Sequence, residues 1–134
     1  MKKRTVWTLT CASFVLASLA LGCGSKEGDG GATNNDITPQ ARQEAATVFK
    51  TVCTPCHGDS GHGDGPLAKD LDPKPRTFSD KEWQKSVTDE HIAKVIVEGG
   101  ESVGKSKEMK PNPNLADKPL VVKALIQRIR RYGK

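Results

Sequence analysis

Hydrophobic positions along the chain fall into two regimes. Residues 5–22 carry no charge and follow directly on Met1-Lys2-Lys3-Arg4. From residue 38 onward apolar residues recur instead at helical spacing, in three separate segments. The first opens at Thr38-Pro39, an N-cap followed by proline at the first helical position, and carries the stripe Ala41, Ala45, Val48, Phe49 and Val52. The second has Thr88 as N-cap and Asp89-Glu90 in the first turn, where the helix dipole favours negative charge. Ile92, Val95 and Ile96 form its apolar face, and Gly99-Gly100 stop it. The third begins near Asp117 with Pro119 in its first turn. Val121, Val122, Leu125, Ile126, Ile129 and Tyr132 make its stripe, and Arg128, Arg130 and Arg131 sit in its last turns. No segment alternates as a strand. Long stretches rich in Pro and Gly, 58–81 and 101–116, separate the helices.

Composition sets the limits of this picture. A chain of 134 residues has room for one domain, and 35% hydrophobic with 4% aromatic content predicts a small core. The mean hydropathy of −0.54 excludes a polytopic membrane protein. Loops this long beside so thin a core imply either a marginal domain or a large apolar cofactor that completes it. The formal charge of +5 would invite a nucleic-acid reading, and four cysteines a two-disulfide one. Position changes both.

A basic start and an uncharged run of this length describe an export signal, predicted over residues 1–22. Leu19-Ala20-Leu21-Gly22-Cys23 resembles a bacterial lipobox, with Ala20 where such boxes usually carry Leu. That makes Cys23 the expected site of lipid attachment; the alternative is an ordinary signal peptide that leaves Cys23 a stray thiol. Residues 23–37 then form a polar tether with a reach of roughly 20 Å by flexible-coil scaling, and 38–134 the folded domain. The signal removes Lys2, Lys3 and Arg4, leaving 18 basic residues against 16 acids. The nucleic-acid reading goes with it.

The first helix runs into Cys53-Thr54-Pro55-Cys56-His57. Cys-x-x-Cys-His is the attachment signature of c-type haem: two thiols add across the vinyl groups, and the following His supplies one axial nitrogen. A thioredoxin-like pair would want a strand before Cys53, and a zinc site would want a second ligand pair. A disulfide across two residues would be strained and leaves His57 without a role. For the sixth ligand, Met109 is the one methionine beyond the signal, and it stands in a polar loop where it makes a poor core residue. A thioether there raises the reduction potential relative to a second imidazole. His62 and His91 are the competing ligands.

These residues resemble a single-haem class I cytochrome c of the bacterial envelope over nearly all of 38–134. The resemblance rests on Phe49 four residues before Cys53, Cys56-His57-Gly58, Gly65-Pro66, Gly99-Gly100 through Gly104 and Ser106 to Met109, and Ile129-Arg130. It implies an all-α fold of about three main helices, with long loops wrapped around one covalent haem. It also implies that the Pro66 carbonyl accepts the proximal imidazole N–H. Two departures stand out. Lys110 intervenes before Pro111, and Arg128 occupies a place where the family often has an aromatic, so Tyr132 is expected to take over the contact with Phe49. Leu67, Leu71, Phe78 and Trp83 are the candidate haem-facing residues, and Arg76, Lys74 and Trp83 the candidates for a propionate.

The expected function is one-electron transfer rather than catalysis, by a monomer facing the periplasm and anchored through Cys23. Redox partners are expected to dock near Lys105, Lys107 and Lys110, with Lys118 close by. A catalytic or sensor haem protein would instead need a labile sixth position, and an electron-entry subunit a larger complex.

Overall fold

The computed structural model describes residues 36–134, so the signal segment, Cys23 and most of the tether lie outside the described residues. Among the described residues the architecture is helical, without strands. Five α-helices run in the order α1 (Pro39–Val48), α2 (Thr54–His57), α3 (Lys81–Ser86), α4 (Asp89–Glu98) and α5 (Pro119–Arg131), with short 3₁₀ turns at Ala68–Asp70, Glu101–Val103 and Pro113–Leu115. None of these helices is long and apolar enough to cross a membrane.

The three long helices are those the periodicity predicts. The Thr38 hydroxyl accepts the Ala41 N–H at 3.1 Å, and the Thr88 hydroxyl accepts that of His91 at 3.1 Å. Gly99, at φ +83°, ends α4 where a residue with a Cβ would be strained. α1 packs against α5 more extensively than any other pair of elements. Small residues on α1, Ala41 and Ala45, face the larger Val121, Val122 and Leu125, all in one buried cluster. Ile37 is buried in the same cluster, so packing begins one residue earlier than the expected boundary at Thr38.

Two features depart from the expectation. α3 is an additional helix, capped by Asp80, whose carboxylate accepts the N–H groups of Glu82 and Trp83. The first helical run also does not continue as a plain α-helix to the cysteines. Between α1 and α2, Phe49–Cys53 form a wide π turn in which the Thr54 N–H reaches back to the Phe49 carbonyl. The extra residue rotates the chain, so Val52 leaves the predicted stripe and is 50% exposed. It also frees the Lys50 carbonyl, which the Thr54 hydroxyl takes at 2.7 Å.

Candidate functional site

The π turn and α2 present Cys53, Cys56 and His57 within two turns of helix. Their backbone is held from outside by the loop that follows. Gly63 N–H donates to the His57 carbonyl at 2.9 Å, Gly65 N–H to Cys56 at 3.1 Å, and Leu67 N–H to Pro55 at 2.8 Å. Gly65 lies so close that a Cβ there would run into the carbonyl oxygens of Thr54 and Pro55. The long irregular stretch is thus a brace for the motif.

Cys53 and Cys56 are free thiols, both half-buried. Burial pushes the Cys53 thiol up to about 11, with the Arg128 charge pulling the other way and Cys56 adding a small rise. His57 is buried, and burial holds its imidazole below the ordinary 6.5, against a smaller opposing effect of a hydrogen bond to the Arg76 backbone. That bond joins Nδ1 to the Arg76 carbonyl oxygen at 3.1 Å. A carbonyl only accepts, so Nδ1 carries the proton and Nε2 keeps its lone pair. The carbonyl partner is that of Arg76, where the family resemblance implied Pro66. The reason lies in the brace: Gly65 and Leu67, on either side of Pro66, hydrogen-bond the motif's backbone, while the 75–78 segment passes the ring. No side-chain signal could have found this acceptor, because it is a backbone group.

Phe78 covers the imidazole face, ring centres 4.5 Å apart and planes 15° from parallel. Trp83 and Tyr132 stack in turn on Phe78, at 5.8 and 6.1 Å. Tyr132 also stacks on Phe49 at 6.0 Å, the contact expected of it, and donates its hydroxyl to the Asp59 carbonyl at 2.8 Å. Arg128 shares that ring, its guanidinium carbon 4.2 Å from the Phe49 centre.

Met109 lies on the second irregular stretch. Its carbonyl accepts the Gly100 N–H at 2.9 Å and its N–H donates to Ser106 at 3.2 Å, so the loop is fixed to the corner at the end of α4. A Cβ on Gly100 would collide with the Ser106 carbonyl. Asn112 closes the same corner, donating its amide to the Ile96 carbonyl at 2.8 Å. His62 and His91, the competing ligands, are both exposed, and His62 pairs with the Ser60 hydroxyl at 3.1 Å. Two propionate candidates are engaged elsewhere: the Lys74 ammonium binds the Ala68 and Lys69 carbonyls, and Arg76 pairs with Asp80 at 3.4 Å. Leu71 is half-buried.

This donor set fits a covalent haem. It offers two free thiols three residues apart and an adjacent neutral imidazole with a usable Nε2. Leu67, whose N–H donates to the Pro55 carbonyl, is 56% exposed, and Val52, next to Cys53, is 50% exposed, so apolar surface lies open at the motif. The cytochrome c family model matches residues 42–120, a span holding both cysteines, His57 and Met109. The chain belongs to the cytochrome c family. Its cofactor is accordingly a covalent c-type haem with iron, and Cys53-Thr54-Pro55-Cys56-His57 is the attachment motif. The general role of the cytochrome is haem-based electron transfer. A search among curated proteins gave no match.

Proposed function

We propose that this cytochrome is a one-electron carrier with a single haem, attached through Cys53 and Cys56 and ligated by His57 and Met109. The observation that supports the reading most strongly is the tautomer of His57. With Nδ1 committed to the Arg76 carbonyl, only Nε2 is left to reach iron, and burial keeps the ring neutral at pH 7. The hydrogen bond also strengthens the imidazole as a donor. Met109 supports the sixth position as a soft thioether on a loop whose backbone is pinned on both sides. With His57 and Met109 both holding the iron, no position would be left for a substrate, and the group would supply one-electron exchange between Fe(II) and Fe(III).

The leader 1–22, lipidated Cys23 and the polar tether up to Asp36 would hold the domain at a periplasm-facing membrane of a bacterial envelope. Partner docking falls to Lys105 and Lys107, both exposed, because Lys110 is paired with Glu108 at 3.6 Å and Lys118 with Glu44 at 2.6 Å. An acidic partner would be steered to that loop.

The deciding measurement is the ferric absorption spectrum of protein purified from membranes. A methionine–iron charge-transfer band is expected, and Met109→Ala removes it while His57 and the thioethers keep the haem attached. High-spin iron or rapid carbon monoxide binding in the native protein would instead favour a catalytic or sensor role. An intact mass reports haem number and lipid on Cys23 in one experiment.

A further inference from the structure

Among the cations of the described residues, Arg128 is placed differently from its neighbours. Arg76 and Arg130 each reach a carboxylate, Asp80 at 3.4 Å and Asp89 at 2.7 Å. Arg128 enters none of the ion pairs of the described residues. Its Nε is without accessible surface and without a hydrogen-bond partner. What it has is the face of Phe49, a residue only 1% exposed, 4.2 Å from the guanidinium carbon. A ring face attracts a cation, and more strongly as water is removed. Phe49 opens the π turn that ends at Cys53, and the Arg128 charge favours the ionised Cys53 thiol against its burial. A cation that enters no ion pair among the described residues is thus held, half out of water, on the ring that opens the turn of the first attachment cysteine.

We infer that Arg128 tunes the reduction potential of the haem that Cys53 carries, its uncompensated charge favouring the reduced state. The inference rests on the electron-carrier reading above. Oxidation adds one positive charge at the iron. A fixed cation nearby opposes that charge, and the low local dielectric keeps the opposition from being screened away. Removing it favours Fe(III) and lowers the potential. Loss of burial would act in the same direction, since water admitted by looser packing also stabilises the more highly charged ferric form. The conservative variant separates the two.

The test is a spectroelectrochemical titration of the haem-loaded full chain, as wild type, Arg128→Gln, Arg128→Met and Arg128→Lys. At a fixed ambient potential, the Fe(II)/Fe(III) ratio is expected to fall at least threefold in Arg128→Gln and Arg128→Met, about 30 mV at 59 mV per decade for one electron. Arg128→Lys keeps the ratio near that of wild type. The methionine–iron band stays in all four, so the shift is not a change of ligand. The idea is overturned if the neutral variants titrate with wild type, or if Lys falls as far as Gln, which would make the effect one of shape. Arg128→Met keeps an apolar stem on Phe49 and decides the matter if Arg128→Gln does not accumulate. If neither neutral variant accumulates while Lys does, Arg128 is a folding residue and the inference fails. Failure of the carrier reading looks different: wild type itself would lack the methionine–iron band.

Discussion

Thr54 shows how one side chain makes an irregular backbone affordable. The π turn leaves the Lys50 carbonyl without its helical N–H, and the buried Thr54 hydroxyl takes that place at 2.7 Å. Thr51 repeats the pattern one turn earlier, donating to the Thr47 carbonyl at 2.9 Å. Thr51 is exposed, so water can replace its bond; Thr54 has no such substitute. Thr54→Val, which conserves shape and deletes the donor, is expected to destabilise the haem-loaded protein by about 1–2 kcal/mol. Thr54→Ser should recover most of that loss, and Thr51→Val should cost far less. Urea unfolding of the three variants reads this directly. Equal losses at positions 51 and 54 would show that helix propensity, not the freed carbonyl, sets the cost.

At the scale of elements, the three long helices are legible because start signals and periodicity agree: Thr38 with Pro39, Thr88 with Asp89, and Pro119 with a continuous apolar stripe, while Gly99 stops α4. The motif itself is equally plain, since chemistry fixes its residue types. The π turn was not legible, because Val52 continues the α-helical pattern and only tertiary packing rotates it out. α3 had one signal, Asp80 two residues before Glu82, but with no buried residue it shows no stripe. Its role is to carry Gln84, whose amide donates to the Phe78 carbonyl at 2.7 Å and the Ile129 carbonyl at 2.9 Å. Arg130 reinforces the join from α5, donating to the Gln84 carbonyl at 2.6 Å, the Val87 carbonyl at 2.7 Å and Asp89. α5 therefore fixes α3, and α3 fixes the ring that covers His57. Because Arg130 also donates to the Gln84 side-chain oxygen at 3.0 Å, Gln84→Met and Arg130→Met should be non-additive in stability by at least about 0.5 kcal/mol. Each should add independently to Thr54→Val. A double-mutant cycle in urea measures it, and strict additivity of Gln84 with Arg130 would mean that the two hold Phe78 separately.

For the molecule as a whole, the question is what the haem contributes to folding. The described residues bury 15 hydrophobic side chains, but four of these are alanines, and only Phe49, Leu115 and Leu125 are large and fully buried. Small domains bury a modest fraction of their surface and are marginal for that reason. Two long irregular stretches must also be ordered against a backbone entropy cost of about 1–2 kcal/mol per residue. One of them is anchored to the attachment motif and the other to the Gly99-Gly100 corner. Each stretch sends only one large residue into the hydrophobic core, Phe78 from the first and Leu115 from the second. The exposed Val52 and Leu67 lie at the motif, where burial would add most. The haem is thus expected to supply the missing apolar surface, and folding to depend on its attachment. Cys53→Ser with Cys56→Ser, which deletes both thioethers at almost no change in volume, should lose most of the far-ultraviolet helical signal and the cooperative urea transition. Proteolysis should then enter first at the 58–80 and 101–116 stretches. If the double variant instead unfolds cooperatively with the helix content of the haem-loaded protein, the α1–α5 packing is sufficient by itself, and the haem is a passenger on a finished fold.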